Sequence, residues 1–351
     1  EVLSRCVLDL GHYEKFEQNQ AFFEKSWTGN SRLRKLLDPS LSDLPFYAVV
    51  PLMADNRMHG VVQIFAPREF EEKYNQEGMV LNTLATQAAV SLDNVNYYNE
   101  LKKRARIQSE LEIAHDIQKR FTPRDPAIPG FKVKGVCLPA NEMGGDYLDY
   151  FQNKSGDWVL VIADVCGKGI PAALVMTSLR STVRSEAQEL QSSKKLLCKV
   201  NEIMLPDLQQ DGSFITCICL VINREGNRIN YTHAGHPMLV KYRKDNAELE
   251  EIQVEGIALG ILDGKDFETN VEQVDQDLKS GDRFLAYTDG LVEAMNEKRE
   301  IYGKERLLVL LDRSRSSRPG DLVETILKDM NFFSEKLRRQ DDLTLFALEK
   351  L

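Results

Sequence analysis

At 351 residues the chain is long enough for two domains. Its net charge of -9 and sequence pI near 5.3 exclude nucleic acid as a general partner. The six cysteines (Cys6, Cys137, Cys166, Cys198, Cys217, Cys219) are scattered without a CxxC, so they read as small buried hydrophobes in a reducing compartment.

There is no signal peptide, and no apolar run reaches the roughly 18 residues that span a bilayer. A cytoplasmic location without membrane contact in this fragment is therefore expected. The chain starts at Glu1 without a methionine, which leaves room for an upstream anchor or a further sensor.

In chain order, residues 1–78 contain one clear pair of β-rich runs. These are Tyr47–Ala54 and Gly60–Ala66, joined by a polar turn holding Asp55 and Asn56. An acidic stretch follows, then a helix carrying LATQAAVSLDN. This order resembles the C-terminal half of a GAF sensor domain, truncated or divergent at its N-terminal side. The resemblance implies a small ligand or regulator there, although nothing in these residues identifies one. A small α+β packing module that binds nothing is the alternative.

Residues 79–122 read as a long helical linker. Leu81, Leu84, Ala88, Leu92 and Val95 step by three or four, as do Ile107, Leu111, Ala114, Ile117 and Phe121. Lys102, Lys103, Arg104 and Arg106 between the stripes read as a solvated face. A striped helix between two domains cannot bury its stripe alone, which points to a parallel coiled-coil homodimer. Packing of the stripe within one chain is the competing expectation. Pro123 ends the helix.

Residues 123–351 mix strands and helices. FKVKGVC, DWVLVIADV, SFITCICLVI, RINYTHA, MLVKYR, DRFLAYT and LTLFALE read as strands, with hairpin signals such as Asn223–Asn227. Helices are expected near 170–190, 194–208, 303–313 and 319–335. Central hairpins with helices in separate blocks argue α+β.

Four aspartates stand where short strands run out: Asp146 in GGDYLD, Asp164 in VLVIADVCGKG, Asp289 in FLAYTDG and Asp341 in QDDLTLF. A lone Asp in such a place is usually a cap or turn residue. Four on one rim would repel each other unless hard divalent cations with oxygen ligands neutralised them.

The ordered set resembles the metal-dependent PPM protein phosphatases, in the SpoIIE/RsbU branch, over about residues 107–351. GIPAAL (Gly169–Leu174), THAGHP (Thr232–Pro237), ALGIL (Ala258–Leu262) and YGKERL (Tyr302–Leu307) extend the match. The resemblance implies two packed antiparallel sheets with helices on both outer faces. It also implies two ions, Mn2+ or Mg2+, sharing a hydroxide that attacks phosphorus in line. No protein nucleophile is then needed, and the chain has no CxxxxxR, GxSxG or Walker loop.

On that pattern Asp146 and Asp164 are catalytic. Asp164 bridges the ions, the Val165 carbonyl completes one of them, and Asp146, Asp289 and Asp341 hold the other or its waters. Asp342 fixes the strand end, and Asp149 is a candidate for a supporting role. Lys168 is a candidate phosphate contact or a loop cap facing solvent. Gly167 and Gly169 are expected to allow close backbone approach. Eukaryotic relatives have a histidine where this chain has Cys166, which leaves the general acid open. His233 and His236 form an HxxH pair, but the resemblance makes AGHP a structural turn rather than a zinc site.

The implied substrate is a phosphoserine or phosphothreonine on a STAS-type anti-sigma-factor antagonist. A regulatory scaffold with an inactive phosphatase fold is the alternative, disfavoured because all four aspartates are present. A small-molecule phosphoesterase is a further reading, against which stands the lack of recognisable ligand-pocket residues.

Overall fold

The computed structural model describes residues 22–24, 46–55, 57–66, 69–189, 192–243, 248–315, 317–335, 337 and 339–351. Much of the expected GAF-like region, and Cys6 with it, lies outside the described residues. The chain divides into two units, Glu1–Ser109 and Glu110–Leu351.

In the first unit, β1 (Phe22–Glu24), β2 (Phe46–Ala54) and β3 (Arg57–Ala66) form an antiparallel sheet in that order. The two β-rich runs pair as the expected hairpin. Asp55, at φ 46°, takes the left-handed turn position, which its short polar side chain tolerates.

Helix α1 (Glu69–Lys119) begins in this unit and ends in the second. In its first half Ala85 and Ala89 are buried. The larger stripe residues Leu84, Leu92, Val95, Ile107 and Ile117 remain between 42% and 56% exposed, so this chain alone does not cover the stripe.

The second unit holds two five-stranded antiparallel sheets. One contains β4 (Phe131–Leu138), β9 (Val240–Arg243), β10 (Glu248–Glu251), β12 (Arg283–Tyr287) and β13 (Leu343–Lys350), in the order β10-β9-β12-β13-β4. The other contains β5 (Tyr147–Gln152), β6 (Trp158–Val165), β7 (Ile215–Ile222), β8 (Arg228–Ala234) and β11 (Gln273–Asp277), in the order β11-β8-β7-β6-β5.

The helices are α2 (Ile170–Glu186), α3 (Ser193–Asp211), α4 (Gly264–Thr269), α5 (Asp289–Val292), α6 (Lys304–Arg313) and α7 (Pro319–Phe333).

Side-chain alternation explains the layers. On β6, Leu160 and Ile162 point between the sheets and pack with Ile218, Leu220, Phe284 and Phe346. Val159, Val161 and Ala163 point the other way, towards Leu179, Val183, Leu197 and Val200 of α2 and α3. Cys217 and Cys219 share that helix-facing core, as their i, i+2 spacing required. On the opposite sheet, Leu285, Leu343 and Leu345 pack against Leu307 of α6 and Ile326 of α7. Strands buried on both faces read as continuous apolar runs, which is why VLVIADV and ITCICLVI were legible. The unit is thus a helix–sheet–sheet–helix sandwich, the expected α+β arrangement.

In this unit three strands go beyond the expected set. Strand β5 was obscured by Asp149 in its middle. Strands β10 and β11 are sheet edges, where polar residues are tolerated and even protective.

Candidate active site

Two strand pairs deliver the aspartates. Tyr147 of β5 lies opposite Ala163 of β6, so Asp146 and Asp164 emerge side by side. Tyr287 of β12 lies opposite Leu345 of β13, which brings Asp289 together with Asp341 and Asp342 at the end of the other sheet. Two side chains tie the sheet ends. Thr288 Oγ1 donates to Asp146 Oδ2 at 3.0 Å. Asp342 accepts from the amides of Ala140 at 2.8 Å and Gly145 at 2.6 Å.

The rim is electrostatically strained. Asp164 is pushed up to about 7, chiefly by burial and then by Asp289, Asp341 and Asp342, against a hydrogen bond with Asp146. Burial and the Asp164 charge raise Asp146 well above the usual carboxylate range, while the hydrogen bond from Thr288 opposes them. Burial, Glu293 and Asp341 raise Asp289. Carboxylates crowded in this way favour any cation that approaches.

Lys168 is one such cation: its Nζ lies 2.7 Å from Asp341 Oδ2 and donates to the Gln340 carbonyl at 2.7 Å. Its side chain stays about half exposed, and its bond to the Gln340 carbonyl agrees with the loop-cap expectation. Among the described residues, no three His, Cys, Asp or Glu side chains form a closed ligand set around one point. Any ion would therefore take part of its shell from backbone carbonyls and water. Hard carboxylate oxygens are chemically suited to that. The Val165 carbonyl is close by, 3.0 Å from where a Cβ on Gly145 would stand.

The glycines divide into two kinds. A Cβ on Gly144 would meet Asp342 Oδ2 at 2.5 Å, and one on Gly290 would meet the Asp342 carbonyl at 1.9 Å. Close approach thus explains the glycines of GGD and TDG. It does not explain Gly167 and Gly169, where a Cβ would meet nothing within 4 Å. These two are needed for their φ values of 107° and 71°.

Other candidates fall outside the rim or serve the fold. Asp149 is buried on the helix-facing side of β5, where Arg184 of α2 holds it at 2.6 and 2.8 Å. It therefore clamps α2 to β5 and does not reach the acidic rim. His233 Nε2 donates to the His236 carbonyl, and His236 Nδ1 lies 2.8 Å from Thr216 Oγ1. Burial pushes His236 down to about 3, so it is neutral and the pair stabilises a turn. Cys166 is exposed, with its amide bonded to the Phe214 carbonyl at 3.0 Å.

Sequence reasoning missed Thr288, His115 and Gln118. His115 Nδ1 lies 2.5 Å from the Glu142 carbonyl. The Gln118 amide both donates to Gly144 O at 2.7 Å and accepts from Gly144 N at 3.2 Å. Only the TDG motif could have drawn attention to Thr288. Nothing local marks the two helix residues.

Two antiparallel sheets between helix layers, with an acidic rim where paired strands end, define the PP2C fold. The SiaA-PP2C domain of Pseudomonas aeruginosa shares that fold: TM-score 0.59, 18% identity, 70% of this chain and 98% of that one covered. The family model described as Stage II sporulation protein E (SpoIIE) matches residues 154–350, more than half of the chain. The chain belongs to that family.

It is 27% identical to phosphoserine phosphatase RsbU of Bacillus subtilis (strain 168) over 245 residues, covering 70% of this chain and 71% of RsbU. It is 26% identical to phosphoserine phosphatase RsbP of the same organism over 236 residues, covering 66% of this chain. It spans 56% of the length of RsbP. The enzyme class is protein serine/threonine phosphatase, and phosphatases of this fold are metal-dependent. No helix among the described residues is long and apolar enough to cross a membrane.

Proposed function

We propose that this chain removes phosphate from a phosphoserine or phosphothreonine of a STAS-type regulatory protein, using two divalent ions, Mn2+ or Mg2+. Asp164, the Val165 carbonyl and the carboxylates of Asp146, Asp289 and Asp341 would hold them, with water completing the set. When bound, such ions supply Lewis acidity, which acidifies water and offsets phosphoryl charge.

The chain's own residues do the positioning. The strand ends fix the carboxylates, and Asp342 holds the GGD loop against the opposite sheet. Lys168, already at the rim, can exchange Asp341 for a phosphoryl oxygen. One observation carries this reading: the strand pairs of two different sheets converge on a single acidic rim, where burial and the neighbouring carboxylates push Asp164 above the usual carboxylate range. Burial this costly serves no structural purpose unless a cation offsets it.

Control lies upstream in this proposal. The N-terminal unit is a GAF-like module that takes a small ligand or regulator. Helix α1 pairs with a second copy through its exposed stripe, which supports a cytoplasmic homodimer. The helix end then acts on the site through Gln118, whose amide holds Gly144 two residues from Asp146.

Phosphate release from a phosphorylated STAS-domain protein, with Mn2+ and with EDTA, tests the proposal. Release that is metal-dependent supports it; equal release in EDTA would sink it.

A further inference from the structure

The Thr288 hydroxyl sits at the junction of the two sheets, fully buried. It accepts a hydrogen bond from the Thr344 amide at 2.9 Å. It lies 3.0 Å from Asp146 Oδ2 as a donor. A threonine hydroxyl has one proton and two lone pairs. With the Thr344 amide on its oxygen, its proton must go elsewhere. The other acceptor in reach, the Thr344 carbonyl, is longer at 3.4 Å and already takes the Thr288 amide at 2.8 Å. The proton is therefore directed at Asp146. The backbone of one sheet end thus fixes a hydroxyl that fixes a carboxylate emerging from the other.

We infer that Thr288 is a positioning residue for ion binding: it locks the Asp146 carboxylate in one rotation, so that its remaining lone pairs face the rim. The inference rests on the two-ion reading above. It adds that the TDG motif works through its threonine as well as its aspartate. Hydrogen-bond partners of a ligating carboxylate typically change metal affinity by about 10–100-fold when removed. A hydroxyl donor is all the role demands, so serine should serve and an apolar isostere should not.

The test is a Mn2+ titration followed by electron paramagnetic resonance on the full chain, with circular dichroism to check folding. The proteins compared are wild type, Thr288→Val, Thr288→Ala and Thr288→Ser. Expected are about tenfold or weaker Mn2+ binding for the valine and alanine variants and binding within about threefold of wild type for serine. Phosphatase activity of the valine variant should recover at saturating Mn2+, which a disordered site would not allow. Valine and alanine both leave the Thr344 amide without its acceptor; if neither folds, serine against wild type decides.

Valine or alanine binding Mn2+ as wild type does, or serine failing as they do, overturns the role of the hydroxyl. A wild-type protein that binds no Mn2+ overturns the two-ion reading itself, and this inference with it.

Discussion

Asp342 accepts a hydrogen bond from the Gly145 amide at 2.6 Å, joining residues 197 positions apart. The same carboxylate takes the Ala140 amide at 2.8 Å. It holds the loop carrying Asp146 against the sheet carrying Asp289 and Asp341. With the Thr288–Asp146 bond, it is one of two side-chain ties between the halves of the acidic rim.

Asp342→Ala should therefore lower both stability and activity. Two charge-assisted bonds at a half-buried site are worth about 2 kcal/mol together, or roughly 5 °C in Tm for a unit of this size. Calorimetry on the two proteins checks this. An unchanged Tm would mean that the clamp contributes nothing.

Asp164→Asn should remove phosphatase activity, by at least about a hundredfold, while far-UV circular dichroism stays as in wild type. The amide matches the carboxylate in shape but carries no charge to bridge two cations. EDTA should have the same effect on the wild type. Activity at the wild-type rate in either case would show that Asp164 bridges nothing.

The raised Asp164 also predicts how stability depends on pH. Its ordinary value is 3.8 and its folded value about 7. The folded, metal-free protein thus holds this proton more tightly than the unfolded chain. That contribution is fully present below the ordinary value and is lost as pH rises through 7. In EDTA, the stability of Asp164→Asn should exceed that of wild type by a margin that grows between about pH 4 and pH 7 and then levels off. Saturating Mn2+ should close the gap at pH 8. Thermal melts at several pH values measure it, and a margin independent of pH would contradict the raised value.

Cys166 occupies the place where eukaryotic relatives have a histidine, yet it is exposed and its amide is committed to Phe214. If the leaving alkoxide takes its proton from water, Cys166→Ser should stay within about tenfold of wild-type kcat, equivalent to about 1.4 kcal/mol of barrier. A thousandfold loss would make the thiol a direct participant.

Charging the stripe of α1 should affect assembly and activity together. Ile117 is 47% exposed in the single chain, so Ile117→Glu costs little unless a partner covers it. Leu111→Glu probes the same face. Light scattering and phosphatase rates on the same samples decide the matter. A variant that becomes monomeric with unchanged activity would separate pairing from control. A wild type that is monomeric at tens of micromolar would remove the dimer.

The sandwich and its acidic motifs were legible in the amino-acid order because both depend on local pattern. Strands β6 and β7 are apolar on both faces, Asp164 lies at the end of β6, and Asp289 and Asp341 flank the apolar runs of β12 and β13. Strand β5 was not legible, since Asp149 breaks its alternation. Its partner Arg184 lies 35 positions away on α2, and only packing shows that the charge is paired.

The same limit applies to the site. Asp146, Asp164, Asp289 and Asp341 could be listed from their motifs. The Thr288 hydroxyl aimed at Asp146, the Asp342 clamp on Gly145 and the Gln118 contact with Gly144 could not. Side-chain hydrogen bonds between distant segments leave no periodicity in a sequence. Sequence alone therefore determined which residues carry the charge, through strand alternation and the turn residues beside it. Tertiary structure decided how those charges are held, because orientation depends on neighbours that only the closed pair of sheets brings within 3 Å of each other.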